Sequence, residues 1–371
     1  MSKTKVGIIG NGIIGESHIQ NYLAIPDCEI TAICDINPER LNYIGDKYGL
    51  KNRYTHIGEM LRDADMEAVD VCLHNNMHAP ASIAVLKSGR HAYCEKPMAG
   101  TYADALSMYN AAREYGKRLH IQLALLYEDA ARAAKRIIDA GELGRIYHIR
   151  SSGFRRRGRP FVDGYATKEF VNSTTARGGA LFDMGVYRIS QMLYLAGLPK
   201  LQRVVGKTYQ EVAVDPVRRD ISHFDVEELG TGYAVYEGNI SLDVIEAWAI
   251  HMDNLGGSMI AGSEGGLKFD PLSFHTLRED MQIDATVDLG ALNYRNHTVH
   301  AEQAMYDSSQ IHWINVLQGR CEQIPTDRIA LETSLLQEGI FLSEKLGREI
   351  TADEIRALSK STALELPNLA L

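Results

Sequence analysis

The sequence lacks the features that mark secreted, membrane-spanning and nucleic-acid-binding proteins. Its 371 residues include only five cysteines, an odd number, which indicates reduced thiols and no disulfide framework. No run of about 18 or more apolar residues is present, and residues 1–10 lead into the first predicted strand without an apolar signal region. There is no basic tail, and 39 lysines and arginines against 48 aspartates and glutamates give a net charge of −9. We therefore expect a cytoplasmic protein with neither a nucleic-acid nor a membrane partner.

A metal site is also not expected. His297 and His300 are spaced as an H-x-x-H pair, but no carboxylate or cysteine accompanies them at ligand spacing. The sequence also contains no internal repeat and no low-complexity segment, which excludes repeat architectures.

The order of the predicted elements indicates two domains, because 371 residues exceed what one core comfortably accommodates. In residues 1–125, short apolar runs alternate with helical periodicity, which predicts an α/β domain with a doubly wound parallel sheet. In residues 126–371, longer alternating runs predict an α+β domain whose strands are antiparallel and half exposed. Residues 280–307 show only weak periodicity, and we expect them to be partly irregular.

The predicted elements have the following bounds. In the first domain, strands are predicted at residues 5–9, 29–34, 68–73, 91–94 and 119–123, and helices at residues 17–25, 38–48, 57–62, 79–88 and 102–115. In the second domain, strands are predicted at residues 146–152, 202–209, 232–236 and 240–251, and helices at residues 130–140, 180–196 and 309–317. The loops after the first-domain strands meet at one edge of the sheet, where ligands of such folds bind.

The turn after the first predicted strand carries a dinucleotide-binding pattern. Gly10, Gly12 and Gly15 form G-x-G-x-x-G: one glycine permits the tight turn, one lets the backbone approach a pyrophosphate, and one allows close packing of helix and strand. The N-terminus of the following helix favours the phosphate charge. Asp35 lies 20 residues beyond Gly15, the spacing at which a carboxylate meets the adenosine ribose hydroxyls. The pattern therefore predicts a bound dinucleotide.

Two further groups of residues are candidates for catalysis. Glu95, Lys96 and Pro97 follow a strand at the ligand-binding edge, and the proline restricts Lys96 to extended conformations, which fixes the direction of its ammonium. Taken alone, this tripeptide is more typical of a surface turn. Asp183 and Tyr187 are four residues apart, so on one helix both project from the same face and can flank a substrate hydroxyl. The alternative is an aspartate favoured by the helix dipole and a tyrosine packed in the core.

Several motifs together resemble one family. They run in that family's order over nearly the whole chain and comprise residues 10–15, 72–78, 89–98, 140–144 and 178–187. The combination is similar to the glucose-fructose oxidoreductase, inositol dehydrogenase and MocA (GFO/IDH/MocA) family. The resemblance implies an N-terminal Rossmann domain, a C-terminal domain with a large, mostly antiparallel sheet, NAD or NADP as the cofactor, and a sugar, polyol or related substrate. It also implies a homo-oligomer, a dimer or a tetramer, formed through the open face of that sheet.

The resemblance assigns roles by position. Lys96 corresponds to the family's lysine beside the nicotinamide and the substrate, and Asp183 to its helix carboxylate. Tyr187 replaces the histidine of most members, although glucose-fructose oxidoreductases are similar to this chain in having tyrosine. We therefore expect Lys96, Asp183 and Tyr187 to be catalytic. His74, where the family usually has proline, and residues 126–127, where an arginine and an aromatic residue are common, are further departures.

The cofactor is expected to be NAD. The Asp35 carboxylate repels a 2′-phosphate, and the two residues after it offer no cation to bind that phosphate, although Arg40 is close enough in sequence to reach it. Besides Lys96, the residues expected to contact the cofactor are Gly10, Gly12, Ile13, Ile14, Gly15, Asp35, Ile36, Arg40, His74, Asn75, His78, Glu95 and Gln122.

The expected reaction is hydride transfer from a carbinol carbon to the nicotinamide, with Lys96 accepting the hydroxyl proton. A tyrosine has an ordinary pKa of about 10, so most of the acid–base work is assigned to Lys96 rather than to Tyr187. We expect burial and the positive nicotinamide to lower the pKa of Lys96 toward the working pH. The residues expected to contact the substrate are Tyr127, Arg155, Arg157, Asp183 and Tyr187.

A cluster of arginines follows the predicted strand at residues 146–152. Arg155, Arg156, Arg157 and Arg159 lie in a loop that should approach the substrate pocket. A solvated or subunit-facing basic loop is the simpler interpretation. The sharper interpretation is that one or two of these arginines bind a carboxylate, phosphate or sulfonate on the substrate.

Two other functions remain open from the sequence. An NAD-dependent glycosidase, acting on a neutral or an anionic sugar, would oxidise a ring hydroxyl transiently, eliminate a leaving group and return the hydride. It needs one more acid–base group, for which Tyr127 and His251 are candidates. A non-catalytic sensor of NAD and sugar has no need of proton-transfer groups, so the intact Lys96 and Asp183 argue against it. We prefer the dehydrogenase because it requires no additional base.

Overall fold

A six-stranded parallel sheet forms the first part of the structure, a computed structural model that describes residues 2–367 and 369. Its strands are β1 (Thr4–Ile9), β2 (Cys28–Cys34), β3 (Arg53–Tyr54), β4 (Ala68–Val71), β5 (His91–Cys94) and β6 (Leu119–Ile121), in the order β3-β2-β1-β4-β5-β6. All neighbours in this sheet are parallel. The strand order reverses between β1 and β4, where doubly wound sheets bind their ligands. The predicted fold of this part is confirmed.

Helices connect these strands as the alternation of periodicities predicts. They are α1 (Ile13–Leu23), α2 (Pro38–Tyr48), α3 (Ile57–Asp63), α4 (Asn75–Lys87) and α5 (Tyr102–Glu114). Helices α1 and α4 begin four residues earlier than predicted. Their first turns contribute residues to the cavity described below rather than to the core, so they do not continue the apolar periodicity on which the prediction depends.

A nine-stranded, mostly antiparallel sheet forms the second part. Its strands are β7 (Ile146–Phe154), β8 (Leu201–Tyr209), β9 (Leu229–Tyr236), β10 (Ile240–Ala247), β11 (Met259–Gly262), β12 (Gly265–Lys268), β13 (Ser273–Arg278), β14 (Met281–Thr286) and β15 (Ile350–Thr351), in the order β14-β13-β12-β11-β7-β10-β9-β8-β15. The expected large sheet is confirmed with one correction, since β7 and β10 are parallel. Strands β8, β9 and β10 form an antiparallel meander, and its third strand then pairs with β7 in the same direction.

The helices of the second part differ more from the prediction. They are α6 (Asp129–Asp139), α7 (Ser173–Ala176), α8 (Ala180–Asp183), α9 (Gly185–Leu195), α10 (Pro216–Ser222), α11 (Leu289–Thr298), α12 (Ser309–Leu317), α13 (Thr326–Leu346) and α14 (Ala352–Leu358), with 3-10 helices at Ala124–Tyr127, Lys168–Val171 and Ala301–Tyr306. The single helix predicted over residues 180–196 is two helices that meet at Met184. Residues 280–307 are more regular than predicted, because they contain β14, α11 and a 3-10 helix.

Helix α13 has no counterpart in the prediction, although it is the longest of the described helices. It packs between the two parts, so polar as well as apolar side chains are buried on it, including Thr333, Gln337 and Glu338. A helix that is buried nearly all round carries no clear apolar stripe. For that reason its periodicity gives little signal in the sequence.

The chain returns to the first sheet after it has formed most of the second. Trp313 and Ile314 of α12 are buried in one apolar cluster with Val6 and Tyr93 of the first sheet. The Tyr93 hydroxyl lies 2.8 Å from the Ser309 hydroxyl at the start of α12. The predicted division at residues 125 and 126 stays a prediction, with α12 packed on the sheet of the first part.

Two further expectations concern reduced cysteines and membrane-spanning helices. All five cysteines are free thiols. Among the helices in residues 2–367, none combines the length and the apolar character needed to cross a membrane.

We predict that Gly15 contributes to the stability of the fold through close packing, whereas Gly12 does not. A Cβ at Gly15 would lie 1.9 Å from the carbonyl oxygen of Gly10, a backbone atom that cannot rotate away, and a Cβ at Gly12 would meet nothing within 4 Å. Gly15→Ala should therefore lower the free energy of unfolding by about 1–3 kcal/mol. Gly12→Ala is the matched control, because its φ of −66° is accessible to alanine. Urea unfolding of both variants measures the difference, and equal stabilities would contradict this packing role.

Candidate active site

The glycine turn between β1 and α1 is one wall of the site. Gly10 has a φ of +89°, which favours glycine. Asn11 is fully buried, and neither polar atom of its side chain has a partner among the described residues. Buried polar groups without partners are costly, so this side chain is suited to a polar ligand group. Asp35 fixes the turn, because its carboxylate accepts hydrogen bonds from the backbone N–H of Asn11 at 2.7 Å and of Asn37 at 2.8 Å.

Arg40 braces the same turn. Its Nε donates to the carbonyl oxygen of Asn11 at 2.6 Å, and its Nη2 donates to that of Gly12 at 3.3 Å. The guanidinium also pairs with Glu16, and hydrogen bonds from Lys47 and Arg40 lower the pKa of the Glu16 carboxyl to about 2. The Arg40 guanidinium is therefore held by two carbonyl oxygens and by a carboxylate that it shares with Lys47.

Large apolar side chains are exposed around the turn. Ile13 and Ile36 are 66% and 67% exposed, and Ile14 is 41% exposed. Apolar groups in such a cluster are suited to contact with the faces of bases and ribose rings. Together with the open space at Gly12 and the unpaired Asn11 side chain, they fit a dinucleotide.

A cavity of about 740 Å³ opens beside the turn, between the two parts of the structure. Residues from the first part line one side of it, namely Ile13, Ile14, Leu73, Asn75, Glu95 and Lys96. Residues from the second part line the opposite side, among them Phe154, Arg155, Tyr165, Phe170, Asp183, Tyr187 and Arg188. The three residues expected to be catalytic thus share one cavity.

Lys96 lies where the two sides meet. Its Nζ donates to Asp183 Oδ1 at 2.7 Å and to the Asp183 carbonyl oxygen at 3.1 Å, and it lies 4.7 Å from the centre of the Tyr187 ring. Burial opposes the charge of Lys96, but Asp183, Tyr187 and Glu95 outweigh it and raise the pKa of the ammonium. We expected a lowered pKa for Lys96, but the surrounding groups of the protein raise it, so this prediction is wrong. The sequence does not reveal that Asp183 lies at ion-pair distance.

Asp183 is held from two sides. Trp248 Nε1 donates to Asp183 Oδ2 at 3.1 Å, and this bond with the Lys96 ion pair keeps the pKa of Asp183 low despite its burial. The turn into α8 is fixed by Glu227, whose carboxylate accepts from the backbone N–H groups of Gly179 at 2.7 Å and Leu181 at 2.9 Å. Neither Trp248 nor Glu227 could be identified from local sequence, because both contacts join residues far apart in the chain.

A buried chain of charges lies behind Glu95. His18 donates through Nδ1 to Asp70 at 2.8 Å and through Nε2 to Glu95 at 2.9 Å. Burial opposes the charge of His18, but Cys72 and the Asp70 carboxylate raise its pKa above the usual range. The other Glu95 oxygen accepts the backbone N–H of Lys96 at 2.9 Å, so the chain ends at the backbone of the cavity lysine. His18, Asp70 and Cys72 are spaced as a metal site could be, but carboxylates already occupy both ring nitrogens of His18.

The remaining expected cofactor residues lie at different distances from the cavity. Asn75 lines it and donates to the Ala176 carbonyl oxygen at 2.8 Å. His74 precedes α4 and packs edge-on against Phe170. His78 is fully buried, with its nitrogens 2.7 Å and 3.0 Å from the carbonyl oxygens of Pro97 and Leu73. Gln122 lies outside the cavity lining, 2.8 Å from the Tyr93 hydroxyl.

The structure does not bring all the expected substrate residues together. Tyr127 is buried outside the cavity, and its hydroxyl lies 3.2 Å from His120 Nε2. Arg157 points to solvent and pairs with Asp163, also outside the cavity. His251 is exposed, because β10 ends at Ala247 rather than continuing to it. These three positions depend on the direction of loops and strand ends, which local sequence does not determine.

Arg188 is a cavity residue that the sequence did not single out. It follows Tyr187 on α9, and its Nη1 lies 3.4 Å from the carboxylate of Glu246 on β10. Glu246 is fully buried and also accepts from the Ser151 hydroxyl at 3.1 Å. Burial raises the pKa of the Glu246 carboxyl to about 8, although Arg188 opposes this rise.

Known proteins resemble this chain in sequence and in fold. The D-glucoside 3-dehydrogenase of Escherichia coli is 29% identical over 57% of the chain and 59% of its own length. The inositol 2-dehydrogenase of Salmonella typhimurium is 33% identical over 38% of the chain and 43% of its own length. The matched stretch thus spans about half the length of these relatives. The WlbA dehydrogenase of Bordetella pertussis, solved with NADH and UDP-GlcNAcA, has the same fold, with a TM-score of 0.78 at 23% identity over 94% of the chain and 98% of its own.

Models of two protein-family domains match consecutive parts of the chain. Residues 4–123 match the oxidoreductase family with an NAD-binding Rossmann fold, and residues 131–268 match the GFO/IDH/MocA C-terminal domain. Both matched models belong to the family that the sequence motifs resemble. The chain therefore belongs to the GFO/IDH/MocA family of oxidoreductases, and its first part is an NAD-binding Rossmann domain.

Proposed function

We propose that the protein transfers a hydride between NAD and a carbinol carbon of a sugar, sugar derivative or polyol, with Lys96 as the acid–base group. The contact between the Lys96 ammonium and the Asp183 carboxylate, in a cavity beside the glycine turn, is the observation that carries this proposal. The names of the glucoside and inositol dehydrogenases support the substrate class. A non-catalytic sensor has no need of such a buried, charged pair.

Bound NAD supplies the hydride acceptor or donor. The protein's share is to orient the carbinol and to manage its proton. The raised pKa keeps Lys96 protonated, so it can donate a hydrogen bond to the substrate oxygen and stabilise negative charge that develops there. In the reducing direction the same ammonium gives its proton to that oxygen. In the oxidising direction Lys96 must first lose its proton to solvent, and the neutral amine then accepts the proton of the carbinol. Asp183 holds Lys96 in place for both directions.

Tyr187 has a supporting part in this scheme. Burial raises the pKa of its phenol, although Lys96 opposes the rise. The phenol therefore stays protonated near neutral pH and can donate a hydrogen bond to the substrate without acting as the base.

We predict that Lys96→Met strongly reduces turnover and leaves cofactor binding nearly unchanged. General acid–base groups raise reaction rates about a hundredfold to ten-thousandfold, so the rate of NADH formation should decrease by a factor in that range. NAD affinity, measured by calorimetry, should change little, because the adenosine half of the site lies at the glycine turn. Tyr187→Phe should reduce turnover less than Lys96→Met does.

The matched control for this experiment is Lys200→Met. Lys200 is an exposed lysine that pairs with Glu237 on the surface, so its loss should leave turnover unchanged. Melting curves of both variants identify any loss of fold. Turnover of Lys96→Met within tenfold of the wild-type rate would assign Lys96 a structural role only.

We further predict that NAD binds at least about tenfold more tightly than NADP, a difference of about 1.4 kcal/mol. Asp35 lies beside the turn, and Arg40, which braces the same turn, is already engaged by two carbonyl oxygens and Glu16. A 2′-phosphate would therefore meet a carboxylate without a free positive charge. Asp35→Asn should reduce the difference between the affinities for NAD and NADP. Equal affinities of the wild-type protein for the two cofactors would show that Asp35 does not select against the 2′-phosphate.

The redox-neutral glycosidase remains the alternative. Its two candidate bases, Tyr127 and His251, do not line the cavity, which favours the dehydrogenase. A chromogenic glycoside incubated with catalytic amounts of NAD separates the two reactions. We expect free sugars or polyols to yield stoichiometric NADH, detected by its absorbance, without cleavage of the glycoside. Repeated release of the aglycone without NADH would overturn the dehydrogenase.

Homo-oligomerisation is part of the same proposal. Val205, Tyr209 and Tyr233 are 40%, 37% and 48% exposed on adjacent strands of the second sheet, and a second copy of the chain would cover them. Sedimentation velocity distinguishes this arrangement from a monomer.

A further inference from the structure

Arg155 lines the cavity without a carboxylate of its own. Its Nη1 donates to the Gly158 carbonyl oxygen at 3.1 Å and also contacts the Tyr165 hydroxyl. Its neighbours Arg157 and Arg159 both pair with Asp163, but no ion pair of Arg155 occurs within residues 2–367 and 369. The close contacts of Arg155 are therefore with neutral dipoles, although Asp183 is near enough for the Arg155 charge to help lower the pKa of Asp183.

Arg188 is the second incompletely balanced charge. Its ion-pair partner, Glu246, is fully buried at a distance of 3.4 Å. Since burial raises the pKa of Glu246 to about 8, this carboxyl is largely protonated at neutral pH. The guanidinium then faces a neutral acid, and most of its positive charge remains available to the cavity.

The fold places the two guanidinium groups over the same face of the second sheet. A Cβ at Gly153 on β7 would lie 2.3 Å from Arg188 Nη1, so the missing side chain at this position provides the space for the guanidinium. Gly153 pairs with Glu246 on β10, and the Arg155 N–H continues this pairing by donating to the Ala247 carbonyl oxygen at 2.8 Å. Residues two apart on a strand share a face, so Arg155 projects from the face against which Arg188 packs.

The other charges of the cavity are matched. Lys96 pairs with Asp183 at 2.7 Å, and Glu95 pairs with His18 at 2.9 Å. The two arginines are thus a positive excess in a partly enclosed space, where charge is less screened than at the surface. Guanidinium groups bind carboxylates and phosphates through two parallel hydrogen bonds, which an uncharged hydroxyl cannot offer.

We propose that the substrate carries an oxyanion, a carboxylate or a phosphate or sulfate ester, and that Arg155 and Arg188 bind it. The inference rests on the proposed function, because the oxyanion belongs to the molecule whose carbinol Lys96 contacts. Arg155 thus keeps the substrate contact expected from the sequence, and Arg188 takes the part expected of Arg157. The second sheet is then the side of the cavity that selects the substrate.

The test measures binding separately from turnover. NADH-loaded protein is titrated in a calorimeter with glucose, galactose and mannose, with their uronic acids, and with their 6-phosphates. At least one charged sugar should bind about tenfold or more tightly than its neutral parent. Uronic acids and phosphate esters form separate arms, so the preferred oxyanion is identified. If no charged sugar binds in the millimolar range, or if charged and neutral sugars bind alike, the proposal is overturned.

Variants assign the effect to the two arginines. Arg188→Met and Arg155→Met should each weaken binding of the preferred charged sugar about tenfold or more and leave that of its neutral parent within about threefold. Arg188→Lys keeps the charge beside Glu246, so it should retain part of the preference even if Arg188→Met folds poorly. Arg157→Met is the matched control, because Arg157 lies on the same loop outside the cavity. An equal loss in Arg157→Met would reject a specific site.

The readouts distinguish this inference from the function on which it rests. Preference for a charged sugar without NADH formation from any sugar of the panel would refute the dehydrogenase and leave the oxyanion site standing. NADH formation from neutral sugars without any preference for charged ones would refute the oxyanion site and leave the dehydrogenase standing.

Discussion

The contact between Lys96 and Asp183 is the interaction on which the arrangement of the site depends. It joins the loop after β5 of the Rossmann domain to the end of α8 in the second part, at 2.7 Å. The two side chains are only 11% and 22% exposed, so each charge has lost most of its water. Such a pair gives little net stability, but loss of one partner leaves the other charge uncompensated. The contact therefore fixes the lysine geometrically and electrostatically at the boundary of the two parts.

The same principle recurs around the cavity. Three charged groups at its surface have a buried partner behind or beside them: His18 behind Glu95, Trp248 beside Asp183, and Glu246 behind Arg188. These buried partners differ in charge, and their charge determines whether the cavity group in front of each one is neutralised. Because His18 is held as a cation while Glu246 is largely neutral, the Rossmann side of the cavity is balanced and the opposite side is positive.

Local sequence was sufficient for those features that depend on chain neighbours. The glycine turn, Asp35 at the end of β2, and the position of Lys96 after β5 follow from residues adjacent to a predicted strand. Asp183 and Tyr187 share the cavity as expected, although the helix that carries them is interrupted at Met184.

The failures have a common physical origin in distance along the chain. The pKa of Lys96 depends on a carboxylate 87 residues away, and Arg188 becomes a cavity residue through Glu246 and Gly153 on two different strands. Tyr127 was expected to contact the substrate because the family commonly has an aromatic residue at this position, but its hydroxyl lies 3.2 Å from His120, outside the cavity. Periodicity and motifs contain no information about such pairings, which exist only once the sheets have formed.

The return of α12 to the first sheet has a consequence for the order of folding. Trp313 is fully buried against residues of β1 and β5, so the apolar core of the Rossmann domain is completed by a segment more than 200 positions later in the chain. Contacts of such long sequence separation form slowly, because a large loop must close before they yield any stabilisation. During synthesis on the ribosome, the core of the nucleotide-binding domain would therefore stay incomplete and partly exposed to solvent until most of the second sheet has been synthesised.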